Sequence, residues 1–111
     1  MLSFQRLEVY QRAIQFLAAV YDIVDDLPKG HAERRDKLVR AAEAVMRNIA
    51  EGTGRWSAAD SAKHYKIACG EAMECAGSLD VLKLARLVST ERYDKGIQLL
   101  ESEVAMLTKM I

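Results

Sequence analysis

Residues Leu7 to Gly30 read LEVYQRAIQFLAAVYDIVDDLPKG, and this stretch decides the fold class. Leu7, Tyr10, Ile14, Leu17, Tyr21 and Val24 alternate steps of three and four, the spacing of one face of an α-helix. A second seam, Val9, Ala13, Phe16, Val20, Ile23 and Leu27, lies roughly a quarter turn away. Together the seams make about half the circumference apolar, more than one antiparallel neighbour covers. Two arrangements satisfy this: burial between two neighbours of the same bundle, or one seam turned to another subunit. The pattern predicts a helix from about Phe4 to Leu27. Pro28, Lys29 and Gly30 end it, because proline disfavours helical geometry in the residue before it and glycine supplies turn freedom.

Working outward, a second helix is expected from Ala32 to about Gly52–Gly54, with Leu38, Ala41, Ala42, Val45 and Ile49 as its apolar line and Met46 alongside. Its other face, Arg40, Glu43, Arg47, Glu51 and Arg55, alternates in sign at helical spacing, so neighbouring charges can pair. Ser57 with Asp60 three residues on is a capping-box variant, placing the start of a third helix at Ala58, which can run to about Leu87. Gly70 and Gly77 share one face of that helix, and close approach of another helix backbone is the simplest offset for their cost. Ser89 or Thr90 can cap a fourth helix along Tyr93, Ile97, Leu100, Val104, Leu107 and Ile111. Its apolar carboxy terminus, Met106 and Met110 included, needs covering by the bundle or by a partner. Four helices with short turns, and a single proline in 111 residues, predict an all-α, antiparallel up-and-down four-helix bundle forming one domain over residues 1–111.

Half the residues are hydrophobic, 29% are charged, and 16 basic side chains balance 16 acidic ones, so disorder from low hydrophobicity is excluded. No apolar run approaches the roughly 20 residues of a membrane span, and the amino terminus lacks a signal-peptide pattern. A cytoplasmic location without membrane contact is the expectation.

Chemistry finds little purchase. A dinuclear metal site in a bundle needs Glu-x-x-His elements, but Pro28 precedes His31 and Ser61 precedes His64 at that spacing, so both histidines read as surface or boundary residues. Cys69 and Cys75 are about 240° apart on one helix, cannot form a local disulfide and read as reduced apolar packers. Gly52-Thr53-Gly54-Arg55 lacks the glycine and lysine of a phosphate-binding loop. No catalytic residue, metal or cofactor is expected, and the chain does not read as an enzyme. Nucleic-acid binding has more support, since residues 29–56 carry a net charge of +3 and the remainder −3. Arg40, Arg47, Arg55, Lys63 and Lys66 with Trp56 are the candidate phosphate-contacting patch. The competing interpretation is a self-paired, solvated face with Trp56 covering the bundle end.

The stretch Arg40-Ala41-Ala42, then Val45, then Asn48-Ile49-Ala50-Glu51-Gly52-Thr53-Gly54-Arg55 resembles the signature of the bacterial four-helix bundle family known from intervening sequences of 23S ribosomal RNA. Phe4, Leu7, Val9-Tyr10, Ala13, Leu27-Pro28, Ile67-Ala68-Cys69-Gly70, Glu74-Cys75-Ala76 and Leu79-Asp80-Val81-Leu82 extend the resemblance. It implies an up-and-down bundle assembling as a homopentamer, in a family generally without assigned activity. The chain is also distantly similar to the accessory variability determinant of diversity-generating retroelements, a basic pentamer that binds nucleic acid and partners a reverse transcriptase. It departs from that basic pattern by its zero net charge, and it has Met46 where many family members have proline, Arg47 for a serine and Val39 for the second arginine of an Arg-Arg pair.

The expectation is therefore a self-associating, non-enzymatic interaction or scaffold module, with itself as partner. Asn48, Glu51 and Arg55 are expected to form a polar network tying the second helix to the third or to a neighbouring subunit. RNA or DNA binding is the first alternative, and a ligand carrier or enzyme with a pocket between subunits is the second.

Overall fold

The apolar spacing produces four helices, α1 (Glu8–Asp25), α2 (Ala32–Thr53), α3 (Ala58–Leu84) and α4 (Thr90–Met110), in a computed structural model that describes residues Met1 to Ile111. The Oγ atoms of Ser57 and Ser89 each accept from the backbone N–H three residues on, Asp60 and Arg92, at 3.1 Å. Each thereby satisfies one of the orphan donors that open a helix. Helices adjacent in sequence pack together, α4 closes on α1, and the backbones of the diagonal pairs stay apart. That adjacency is the up-and-down antiparallel bundle, 44 × 25 × 23 Å. No helix is long and apolar enough to cross a membrane.

Two boundaries differ from the sequence expectation. The first helix begins at Glu8 rather than Phe4, because Ser3–Arg6 form a short 3-10 turn and Leu7 is extended. Gln5 stabilises that turn by accepting from the Leu2 N–H at 2.7 Å. The third helix stops at Leu84 rather than Leu87. Arg86 adopts φ 60°, its N–H donates to Lys83 O, and the Leu87 N–H donates to Leu82 O at 2.8 Å. These two bonds make a Schellman ending in which arginine holds the left-handed position that glycine usually takes.

Twenty apolar residues form one core. From α1 it takes Val9, Ala13, Phe16, Val20, Ile23 and Val24, which is mainly the second of the two seams. The most extensive helix pair is α2–α3, where buried Ala41 and Ala42 face a helix carrying buried Ala68 and Ala72. Small side chains let the axes draw close. The glycines that serve close packing are not Gly70 and Gly77, around which a Cβ would find nothing within 4 Å. They are Gly52, where a Cβ would collide with the Tyr65 ring, and Gly96, where it would lie 3.1 Å from Leu79 and 3.7 Å from Phe16. Because Gly96 admits those two side chains, α4 turns Gly96, Leu99, Leu100, Glu103 and Leu107 inward. The expected α4 seam is thereby rotated: Tyr93, Ile97 and Val104 are half-buried at its edge, and only Ile111 is exposed. Met106 and Met110 pack against the core, so the bundle itself covers most of this helix.

These placements give opposite signs to similar substitutions. Gly52→Ala lowers stability by about 1–3 kcal/mol because the buried Tyr65 ring must move. Gly70→Ala and Gly77→Ala each stabilise the single chain by roughly 0.5–1 kcal/mol through helix propensity alone. Urea denaturation of the three variants measures both signs.

Candidate functional site

At the α2–α3 turn a polar junction joins the two helices. The Asn48 Nδ2 donates to Ala44 O at 2.9 Å, which leaves its Oδ1 facing His64 Nδ1 at 3.2 Å. The same nitrogen lies 3.4 Å from Glu51 Oε2, so a proton on Nδ1 serves two acceptors. Arg55 Nη2 reaches that Glu51 oxygen at 3.5 Å in an exposed, weak pair. Ser61 Oγ donates to Gly52 O at 2.7 Å, adding a bond from α3 to a carbonyl at the end of α2 that accepts only a long 3.4 Å bond from the Arg55 N–H. The structure thus brings together Asn48, Glu51 and Arg55 and adds His64 and Ser61 from α3. Sequence reasoning missed these two, because nothing local ties residue 64 to residue 48.

The five candidate phosphate contacts fall into two groups. Arg40 and Arg47 line an outer α2–α3 groove whose other charged residues are Lys37, Glu33, Asp36, Glu71 and Glu74. Arg47 is paired with Glu43 at 3.3 Å and Arg55 with Glu51, so both cations are locally compensated. Lys63 and Lys66 are exposed on α3 and make no ion pair. Trp56 does not cover the bundle end. It is fully exposed in the turn, because α2 ends at Thr53 and the chain bends away before α3 begins.

Apolar side chains remain uncovered on two separate surfaces. On α1 and at its N-cap, Ile14, Tyr21 and Leu7 are exposed. They border a groove of about 380 Å³ between α1 and α2 whose apolar lining is Tyr10, Leu17, Met46 and Ala50. On α3, Ile67, Met73, Val81 and Leu84 are exposed on the side opposite the core-facing line, with Gly70 and Gly77 between them. Such an all-round apolar helix is normally buried on both sides. Since α1 and α3 are diagonal helices whose outer faces point away from each other, these are two patches and not one.

Glu103 is the buried charged-type side chain of the core, fully enclosed on α4, and neither carboxylate oxygen has a hydrogen-bond partner. Burial pushes its pKa up from 4.5 to about 8, so the neutral acid is the form held at pH 7. Burial first, then the charges of Glu103, Glu71 and Glu74, push the Cys75 thiol up to about 12, which leaves it without nucleophilic thiolate at neutral pH. Sequence reasoning passed over Glu103 by following Val104 along α4, although Leu100, Glu103 and Leu107 are themselves spaced three and four apart.

Over residues 5–109 the chain matches the family model described as 23S rRNA-intervening sequence protein. The chain belongs to that family. A crystal structure of a protein of unknown function from the S23 ribosomal protein family of Bacteroides thetaiotaomicron superposes with a TM-score of 0.85. The two chains are 21% identical, and the likeness covers 93% of this chain and 97% of the other, which establishes a shared bundle fold. No curated protein matches the chain.

The buried carboxyl sets a pH dependence. Below about pH 4.5 it is protonated both folded and unfolded; as pH rises, the unfolded carboxyl ionises first. Each pH unit between 4.5 and about 8 then favours unfolding by about 1.4 kcal/mol, and the loss is complete above about 8. Glu103→Met removes this slope. Its stability in urea exceeds that of the parent by about 3 kcal/mol at pH 7, and the gain shrinks steeply towards pH 4.5.

Proposed function

We propose that this protein is a non-enzymatic, self-assembling interaction module of the cytoplasm, in which copies of the chain associate through unlike faces. The supporting observation is the pair of uncovered apolar surfaces, the groove edge on α1 with Leu7, Ile14 and Tyr21, and the outer face of α3 with Ile67, Met73, Val81 and Leu84. The two surfaces are unlike, a groove of Tyr10, Leu17, Met46 and Ala50 between α1 and α2 and the outer apolar face of α3, so the α3 face of one copy can meet the α1 face of the next. Association through two different patches is heterologous and, when the rotation closes, gives a ring. A pentamer is the ring that the family resemblance implies. The homopentamer would act as a scaffold, with the α2–α3 turns left free for a partner.

A two-variant mixing experiment tests this arrangement. Ile14→Glu damages only the α1 face and Val81→Glu only the α3 face. Each variant alone loses the large assembly. An equimolar mixture recovers a species of twice 12.4 kDa, since one intact pair of unlike faces remains. Monomer in the mixture, or full assembly by either variant alone, contradicts the arrangement.

A second reading, binding of RNA or DNA, is favoured by the fully exposed Trp56 in the α2–α3 turn and by the exposed, unpaired Lys63 and Lys66 in the first turns of α3. It predicts association with single-stranded RNA at about 50 mM salt that weakens steeply as salt rises and is lost in Trp56→Ala. Arg47 and Arg55 each lie beside a carboxylate in an exposed pair, which offsets part of their charge.

A further inference from the structure

The two halves of α4 are held differently. Its amino-terminal half is tied down by polar contacts: Arg92 to Asp26 and to Asp22 O, Tyr93 to Asp80, Lys83 to Thr90, and the Ser89 cap. Beyond Tyr93 no side-chain hydrogen bond or ion pair joins α4 to another helix; Thr108 bonds only within it, to Val104 O. The carboxy-terminal half is therefore held by burial alone, with Leu99, Leu100, Glu103 and Leu107 as its buried anchors and Ile97, Val104, Met106 and Met110 packed beside them. One of these four anchors is a carboxyl with both oxygens unpartnered.

We propose that Glu103 is a proton-operated latch: the carboxy-terminal half of α4 stays docked while the carboxyl keeps its proton, and releases that proton when it swings away from α1 and α3. The docked side offers the anion no compensation. The buried positions of α1 carry no ionisable group; half-buried Tyr10 and Arg12 are the titratable side chains nearest burial on that helix, and Arg12, which lines a surface cleft with Leu99, makes its one ion pair with Glu8 at 3.5 Å and none with Glu103. On α3 the buried titratable groups are Tyr65 and Cys75, half-buried Glu71 and exposed Glu74 add negative charge around Cys75, and half-buried His64 is engaged by Asn48 and Glu51. The Cys75 thiol is close enough for Glu103 to push it up. The flanking Glu101 and Lys109 of α4 are exposed, and the buried residues of α2, Leu38, Ala41, Ala42, Val45, Ile49 and Gly52, carry no ionisable group. Undocking hydrates the carboxyl, which then ionises in the ordinary way, so opening and proton loss are one linked equilibrium. Opening uncovers Leu100 and Leu107 together with the core faces of α1 and α3.

Amide hydrogen exchange resolved along the chain, corrected for intrinsic rates, tests the latch. Amides of residues 99–110 are expected to open more readily than those of the α2–α3 seam. Their opening constant rises about tenfold per pH unit, or about 100-fold between pH 5.5 and 7.5, and levels off above about 8. In Glu103→Met and Glu103→Gln that rise disappears while the Arg92 end of α4 is unchanged. Carbon-13 detection of the Glu103 carboxyl in the unsubstituted protein reads the same proton without any variant and is expected to titrate far above the ordinary glutamate range. A normal carboxyl titration, residues 99–110 exchanging only with the whole bundle, or a pH slope that survives both substitutions overturns the proposal.

Discussion

A helix in a four-helix bundle turns one arc of its surface to the shared core, and apolar residues outside that arc remain in water. Residues on α1 and α3 exceed that arc. On α1 the core takes the Val9 to Ile23 seam and Val24, while Leu7, Ile14 and Tyr21 lie a quarter turn outside it. On α3 the excess sits opposite the core, from Ile67 to Leu84. By contrast, α4 keeps nearly all its apolar side chains within reach of the bundle because Gly96 lets it settle against Leu79 and Phe16. The apolar surplus is thus localised, and its location on two diagonal helices gives association a direction.

Polar groups are placed with different economy in the two halves of the molecule. At the α2–α3 turn, Asn48, Glu51, His64, Arg55 and Ser61 satisfy one another or the end of a helix, and the turn is pinned where the family signature lies. In the α1–α3–α4 core, Glu103 satisfies nothing and is retained against a desolvation cost that a methionine would not incur. The first arrangement stiffens a corner; the second makes one helix half conditional on a proton.

How much of this was legible in the sequence depends on whether the signal was local. Helix caps were readable because Ser57 and Ser89 act on backbone three residues away, and the doubled α1 seam was readable because periodicity reports both faces at once. The end of α3 was not, since Arg86 occupies a left-handed position without the glycine that announces one. The roles of the glycines depend on which helix happens to approach, so Gly70 and Gly77 look like contact points in sequence, while Gly52 and Gly96 are the ones that serve. His64 entered the junction through a partner sixteen residues away, and Glu103 was hidden by the adjacent Val104, which fits the seam better by hydrophobicity but lies at its edge. Trp56 misled for the opposite reason: an aromatic next to a helix end suggests a lid, yet the turn holds it clear of the bundle.

Sedimentation equilibrium of the unmodified chain across the micromolar range tests most directly whether the surplus apolar surface is shared between copies. The account requires a defined species at a whole multiple of 12.4 kDa that persists on dilution through that range. A single species of 12.4 kDa at every concentration would contradict it.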